Sequence, residues 1–305
     1  MLNYIRFFCS LIYLFCTLSV IGQTPIDSFK QVIQSEQHDT IKVSAMISLY
    51  KSYKRIDSKK SLMYAQMALD FTEEKQIKQF QVRAYSAVAD IYIDIGSSED
   101  SIKYMINNAL QLIPKAGFTK SKGNYYRAAF YNLLGRFYQK NLQYKQSLIY
   151  YHKALDITDK NIAQAITTCF NNIAIVLGEY GKYEESLVYY KKAIEEAKKL
   201  ENPELYMAYI YNNVSNIYGE LNEQDTALIF LEKALVFGRK VGHVQLSAVV
   251  LFNIGEKHIL KKEYEIATTY LNESYDISKK ANYLIICQEY NIAARKRGYK
   301  TFKGC

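Results

Sequence analysis

The chain repeats itself. The segments YNLLGRFYQKNLQYKQSLIYYHKAL from Tyr131, FNNIAIVLGEYGKYEESLVYYKKAI from Phe170, YNNVSNIYGELNEQDTALIFLEKAL from Tyr211 and LFNIGEKHILKKEYEIATTYLNESY from Leu251 follow one another at spacings of 39, 41 and 40 residues. An earlier copy from Tyr85 carries one extra residue before Ala109, one from Met46 is one residue short before Ser61, and a seventh start at Glu289 is not completed. A copy of this length is a single supersecondary unit that cannot bury its apolar side alone, so the core must form between neighbours. Stacking is therefore the only route to a folded state.

Each copy holds two stretches of helical periodicity joined by a short polar turn. In the first, large residues recur at steps of three and four, as in Tyr131, Leu134 and Tyr138, which puts them on one helix face. A small residue follows the central one: Gly135, Ala174, Ser215, Gly255 and Ala89. In the second stretch small and large alternate along a face: Ser147, Tyr151 and Ala154; Ser186, Tyr190 and Ala193; Ala227, Leu231 and Ala234. The small positions let the two helices approach closely. Composition agrees: only 3 Pro and 13 Gly leave little turn material for an all-β fold, and 29 Tyr with no Trp fill the large interlocking positions. Pro25, Pro114 and Pro203 fall between the expected helices, where a missing N–H does no harm.

This pattern resembles the tetratricopeptide repeat, which has aromatic-x-x-Leu-Gly-x-x-Tyr in its first helix and Ala, aromatic and Ala along its second. Leu134, Gly135 and Tyr138 with Ser147, Tyr151 and Ala154 carry the match, and at least four other copies have equivalents over about residues 40–295. The longer period resembles the variant in which both helices gain a turn. Tyr50 where a small residue belongs, His258 for Tyr and Ser274 for Ala depart from the pattern. The resemblance implies an all-α fold, a right-handed α-solenoid of about six helix-turn-helix pairs. The array is expected over 40–282, after an N-terminal helix and linker at 23–39 with its helix near Ser28–Gln37. A closing helix from Tyr283 to Arg297 and a basic tail are expected within 283–305. The stretch from Asp39 to Phe71 is similar to the entry of exported repeat regions in bacterial sensors, especially of Bacteroidota, that precede a membrane helix and a histidine kinase or helix-turn-helix output. This sequence contains neither output, so a stand-alone or truncated relative is implied.

Residues 1–22 carry one charge, Arg6, followed by an uncharged apolar run of 16 residues from Phe7 to Gly22. A membrane span needs roughly 20, whereas a secretory signal has this length and a small residue before the cut. A cleaved signal ending at Gly22 is expected, with an uncleaved anchor as the alternative. Export to the periplasm or beyond follows. Cys169, Cys287 and Cys305 would then remain, an odd and scattered set that predicts no disulfide framework. The net charge of +9 is concentrated: Lys279 to Cys305 holds seven basic residues against Glu289 alone. The high pI therefore does not imply a nucleic-acid-binding face, and a solvated basic end is expected.

Chemistry-bearing motifs are missing. Gly178 and Gly181 lack the Lys-Ser/Thr of a phosphate loop, none of the four His stands at zinc-ligand spacing, and no Gly-x-Ser-x-Gly elbow occurs. Acid pairs such as Glu184-Glu185 and Glu195-Glu196 lie near Lys as i,i+4 partners. No catalytic residue, metal site or cofactor is expected, and a protein or peptide partner is. In the resembled family the first helices line the inner groove, which places Asn132, Asn171, Asn172, Asn212, Asn213 and Asn253 there, with Arg136 and Asn216 about one turn on. An amide both donates and accepts, so such a column can hold the backbone of a bound chain. The same amides could instead bond the neighbouring repeat.

Overall fold

The computed structural model describes residues 25–54, 56–159 and 162–280, and among them every regular element is a helix. The expected signal, its cleavage site and the closing helix lie outside the described residues. The chain divides into two compact units, Met1–Leu133 and Leu134–Cys305.

In the first unit, α1 (Pro25–Gln34), α2 (Asp39–Tyr53), α3 (Ser58–Glu74), α4 (Lys78–Ile95) and α5 (Glu99–Leu112) lead through a single 3-10 turn, Ile113–Lys115, into α6 (Lys120–Lys140). The first helix starts three residues earlier than expected because Pro25 opens it rather than preceding it. That first position needs no amide hydrogen. The core is small and aliphatic: Val43, Leu49, Ala65, Ala68, Val82, Val88, Ile91, Ile102 and Ile106 are buried. Tyr50 stands at a position expected to be small, and its conformation explains why it fits. Its ring is buried and its hydroxyl hydrogen-bonds the Asp90 carboxylate on α4, which Lys54 also reaches.

The second unit contains the end of α6, then α7 (Tyr144–Ile157), α8 (Ala163–Glu179), α9 (Tyr183–Ala197), α10 (Glu204–Glu220), α11 (Gln224–Lys240), α12 (Val244–Leu260) and α13 (Tyr264–Lys280). Pro203 is the N-cap of α10. Buried side chains pack between consecutive helices: Tyr151 with Ile173, Val176 and Leu177, then Tyr190 with Met207, Ile210 and Val214, then Leu231 with Val250, Leu251 and Ile254. Each cluster joins one copy to the next, as a stacked core must.

Within each pair the helices meet at the small residue. A Cβ on Gly135 would come within 2.7 Å of the Tyr151 ring, and one on Gly255 within 2.6 Å of Leu271. A serine clips the crossing in two pairs of this unit: Ser147 Oγ donates to the Gly135 carbonyl at 2.8 Å and Ser186 Oγ to the Ala174 carbonyl at 2.7 Å. Ser61 makes the same bond to the Tyr50 carbonyl in the first unit, at 2.9 Å. Ring stacking recurs too. Tyr138 lies on Tyr150, Tyr218 on Phe230 and His258 on Tyr270, with centroids 5.3, 5.3 and 5.6 Å apart and planes within 9° of parallel. His258 thus replaces Tyr without losing the stack, and its Nδ1 also lies 2.6 Å from Glu263 Oε2.

The turn inside each pair is fixed by the main chain. Leu142, Gly181, Asn222 and Lys262 all take left-handed φ values, between 57° and 79°. The next amide in each case donates to the carbonyl five residues back: Gln143 to Tyr138, Lys182 to Leu177, Glu223 to Tyr218 and Glu263 to His258, at 2.8–2.9 Å. This is the Schellman ending of a helix. Only one of the four positions is glycine.

Candidate inner face of the second unit

The side chains of α8, α10 and α12 that do not enter the core repeat along three helices. Thr168, Tyr209 and Val249 form one exposed row, and Asn172, Asn213 and Asn253 a partly exposed row one turn on. Ile175, Asn216 and Glu256, then Glu179, Glu220 and Leu260, follow at the next two turns. Steps of four, three and four residues keep these positions on one face of each helix.

The structure brings four of the expected asparagines together, in pairs. Asn213 Nδ2 on α10 donates to Asn171 Oδ1 on α8 at 3.2 Å, and Asn253 Nδ2 on α12 donates to Asn212 Oδ1 on α10 at 2.9 Å. The two bonds have the same register: the third residue of one copy reaches the second residue of the copy before. They form rungs between repeats, the arrangement in which the amides tie the stack. Each rung uses one half of each amide. The carbonyls of Asn213 and Asn253 and the amino groups of Asn171 and Asn212 stay unengaged among the described residues. Asn212 is only 8% exposed, so it is presented far less than its neighbours.

The other expected residues are placed differently. Asn216 is exposed on α10, one turn beyond the rung. Asn172 is partly exposed on α8. Arg136 is partly buried near the end of α6. Asn132 belongs to the first unit, where its Nδ2 donates to the Ala128 carbonyl four residues back at 3.0 Å. At the edge of the face Gln139 Nε2 donates to Glu179 Oε1 at 2.9 Å.

Titratable groups in the second unit serve packing and surface pairing. Burial pushes the phenols of Tyr151 and Tyr190 well above the usual tyrosine range. The Glu263 carboxyl is held below the usual range, first by His258 and then by Lys261. Cys169 is buried, 1% exposed. Among the described residues no group of three or more His, Cys, Asp or Glu side chains is placed to hold a metal ion. The acid–lysine pairs form at i,i+3 rather than the expected i,i+4: Lys182 with Glu185, Lys198 with Glu195 and Lys199 with Glu196, at 2.6–2.8 Å. No helix among the described residues is long and apolar enough to cross a membrane.

Comparison with known proteins agrees with this geometry. Residues 126–199 and 164–240 match the family described as Tetratricopeptide repeat. No curated protein sequence matches the chain. BtubC from P. vanneervenii is similar at 19% identity over 78% of this chain and 92% of its own, with a TM-score of 0.57. A Rap protein complexed with Competence and Sporulation Factor is similar at 18% identity over 84% of this chain and 70% of its own, with a TM-score of 0.60. The apo quorum sensor NprR from B. thuringiensis is similar at 18% identity over 77% of this chain and 65% of its own, with a TM-score of 0.58. The fold is an all-α solenoid of tetratricopeptide-type helix-turn-helix pairs.

Proposed function

We propose that the protein is a non-enzymatic, exported scaffold that holds an extended peptide or protein segment along the face of α8, α10 and α12. The half-used amides support this reading most directly. After each rung forms, one acceptor and one donor remain, and a peptide backbone offers the complementary groups at every residue. Because those groups belong to the main chain of the ligand, the grip tolerates many sequences. Asn216 and Tyr209, exposed beside the rungs, are the residues that would add side-chain contacts. Protein rather than nucleic acid suits this face, whose rows carry Glu179, Glu220 and Glu256.

Rung and ligand roles separate under mutation. Asn213→Ala with Asn253→Ala removes both rung donors, each bond being worth about 1 kcal/mol. A melting temperature lower by several degrees is expected for a unit of this size. Asn216→Ala touches no rung and should leave the melting temperature unchanged while weakening capture of a partner from envelope extract. Equal capture by Asn216→Ala and the parent protein would count against binding on this face. For export, mass spectrometry of the native protein should find an amino terminus near Gln23; an intact Met1 form in the cytosol would refute it.

A second reading is the extracytoplasmic sensor portion of a signalling system. The likeness of the Asp39–Phe71 stretch to exported sensor regions favours it, as does a structural neighbour that is a quorum sensor. It differs from the first in one measurable respect: a bound ligand would change the activity of a kinase or regulator encoded beside this chain.

A further inference from the structure

The second helices of the pairs also carry a repeated exposed face, and in α9 its charge is self-complementary. Ile149 on α7, Val188 on α9 and Ile229 on α11 occupy the same position in successive copies and are 46%, 53% and 51% exposed. One turn further along each helix stands a lysine: Lys153, Lys192 and Lys233. Their ammonium groups sit over Tyr150, Tyr189 and Phe230, 5.0, 4.7 and 4.9 Å from the ring centroids. Among the described residues none of the three lysines has a carboxylate partner.

On the other side of the apolar row the charge changes sign in α9 and α11. Around Val188 the symmetry is complete in α9: Glu184 and Glu185 lie four and three residues before it, Lys191 and Lys192 three and four after. Glu185 also bonds Lys182 of its own chain. In α11, Asp225 and Lys233 lie four residues to either side of Ile229, and Asp225 also meets Lys261. Glu232 stands beside Lys233 and weakens the contrast there. Lys145 and Lys153 flank Ile149 in α7, where like charges would meet, so the contact is confined to α9 and α11.

We propose that this face is an interface between two copies of the chain, related by a two-fold axis that runs along the aliphatic row and sets each helix antiparallel to its partner. Val188 then meets Val188 and Ile229 meets Ile229 across the axis, while the acidic side of each α9 lies against the lysine side of the other. The alternative two-fold, with helices parallel, would set lysine on lysine and is excluded by like-charge repulsion. An isologous contact of this kind needs the same patch on both copies, and opposite charges equidistant from the apolar centre make the α9 patch complementary to itself.

The test is charge complementation with the full chain, measured by sedimentation equilibrium. The parent protein should show a monomer–dimer equilibrium that weakens with salt, and Val188→Asp should raise its dissociation constant by about tenfold or more. Glu184→Lys with Glu185→Lys, and separately Lys191→Glu with Lys192→Glu, should each be monomeric alone. Mixed one to one, the two variants should dimerise again, since each acidic side then faces a basic one. All four sites are exposed, and unchanged circular dichroism establishes that the variants are folded. A monomeric parent, a mixture that stays monomeric, or a dimer that survives Val188→Asp would each overturn the assignment.

Discussion

Gly135→Ala should lower the melting temperature, against the usual sign for such a change. In a helix interior alanine normally gains about 1 kcal/mol over glycine, because glycine loses more backbone freedom on folding. Here the new Cβ falls 2.7–2.9 Å from three atoms of the Tyr151 ring. The ring is 2% exposed and packed against Ile173, Val176 and Leu177, so it has no room to retreat. Overpacking of this kind costs about 1–3 kcal/mol, which outweighs the propensity gain, and Gly135→Leu should cost more. Gly123→Ala supplies the control. Its Cβ would meet Arg127 and Ile113 side-chain atoms at an ordinary 3.4 Å, so the usual sign should return and stability should rise slightly. Thermal unfolding of the three variants checks both signs, and an unchanged melting temperature for Gly135→Leu would break the assigned crossing.

Stability should also collapse on the alkaline side, in a window set by buried phenols. Tyr85 is pushed up to about 12 by burial and by the Glu73 carboxylate that its hydroxyl bonds at 3.0 Å. Burial raises Tyr151 and Tyr190 in the same direction. An unfolded tyrosine ionises near 10, so the folded chain keeps protons that the unfolded chain releases. The contribution is therefore complete below about pH 10 and is lost as pH climbs from there through the raised folded values. Tyrosinate absorbance and circular dichroism followed together should show a late group of phenols ionising only as helix disappears. Replacing Tyr151 and Tyr190 by Phe should flatten the fall in stability between these limits. Ionisation of all tyrosines as one group with the helices intact would show the phenols to be accessible.

The hairpins and their crossings were legible in the sequence because they depend on spacing, and spacing is what a repeat displays. Gly135 against Tyr151, and Ser147 and Ser186 against the opposite carbonyls, follow from residues of the right size at fixed separation. The rungs were not legible in the same way. Asn171 and Asn172 look alike in a string, as do Asn212 and Asn213, yet Asn171 and Asn212 accept from the next repeat while Asn213 donates to the one before. Only the offset between stacked helices decides which. Tyr50 illustrates a second limit: the pattern called for a small residue, but a charged partner, Asp90, lay forty residues away in sequence and beside it in space. Glu184, Glu185, Lys191 and Lys192 illustrate a third. As a string they are ordinary solvated charge, and their symmetry about Val188 matters only once that residue is seen to be exposed.

The Schellman turns at Leu142, Gly181, Asn222 and Lys262 bear on how such a gene can change length. From the first residue of a copy to the small residue ending its second-helix pattern, the last four complete copies have identical length: Tyr131 to Ala154, Phe170 to Ala193, Tyr211 to Ala234 and Leu251 to Ser274. Among these four copies the drift in period, from 39 to 41, falls in the joints between pairs. The turn inside a pair closes through one hydrogen bond spanning five residues, and a codon gained there would break that bond, rotate the second helix by about 100° and unseat every ring stacked across it. The same codon gained at a joint meets no such closure. In these four copies the closed turn keeps the hairpin at one length, whereas the Tyr85 copy, with one extra residue before Ala109, and the Met46 copy, one short before Ser61, depart from it.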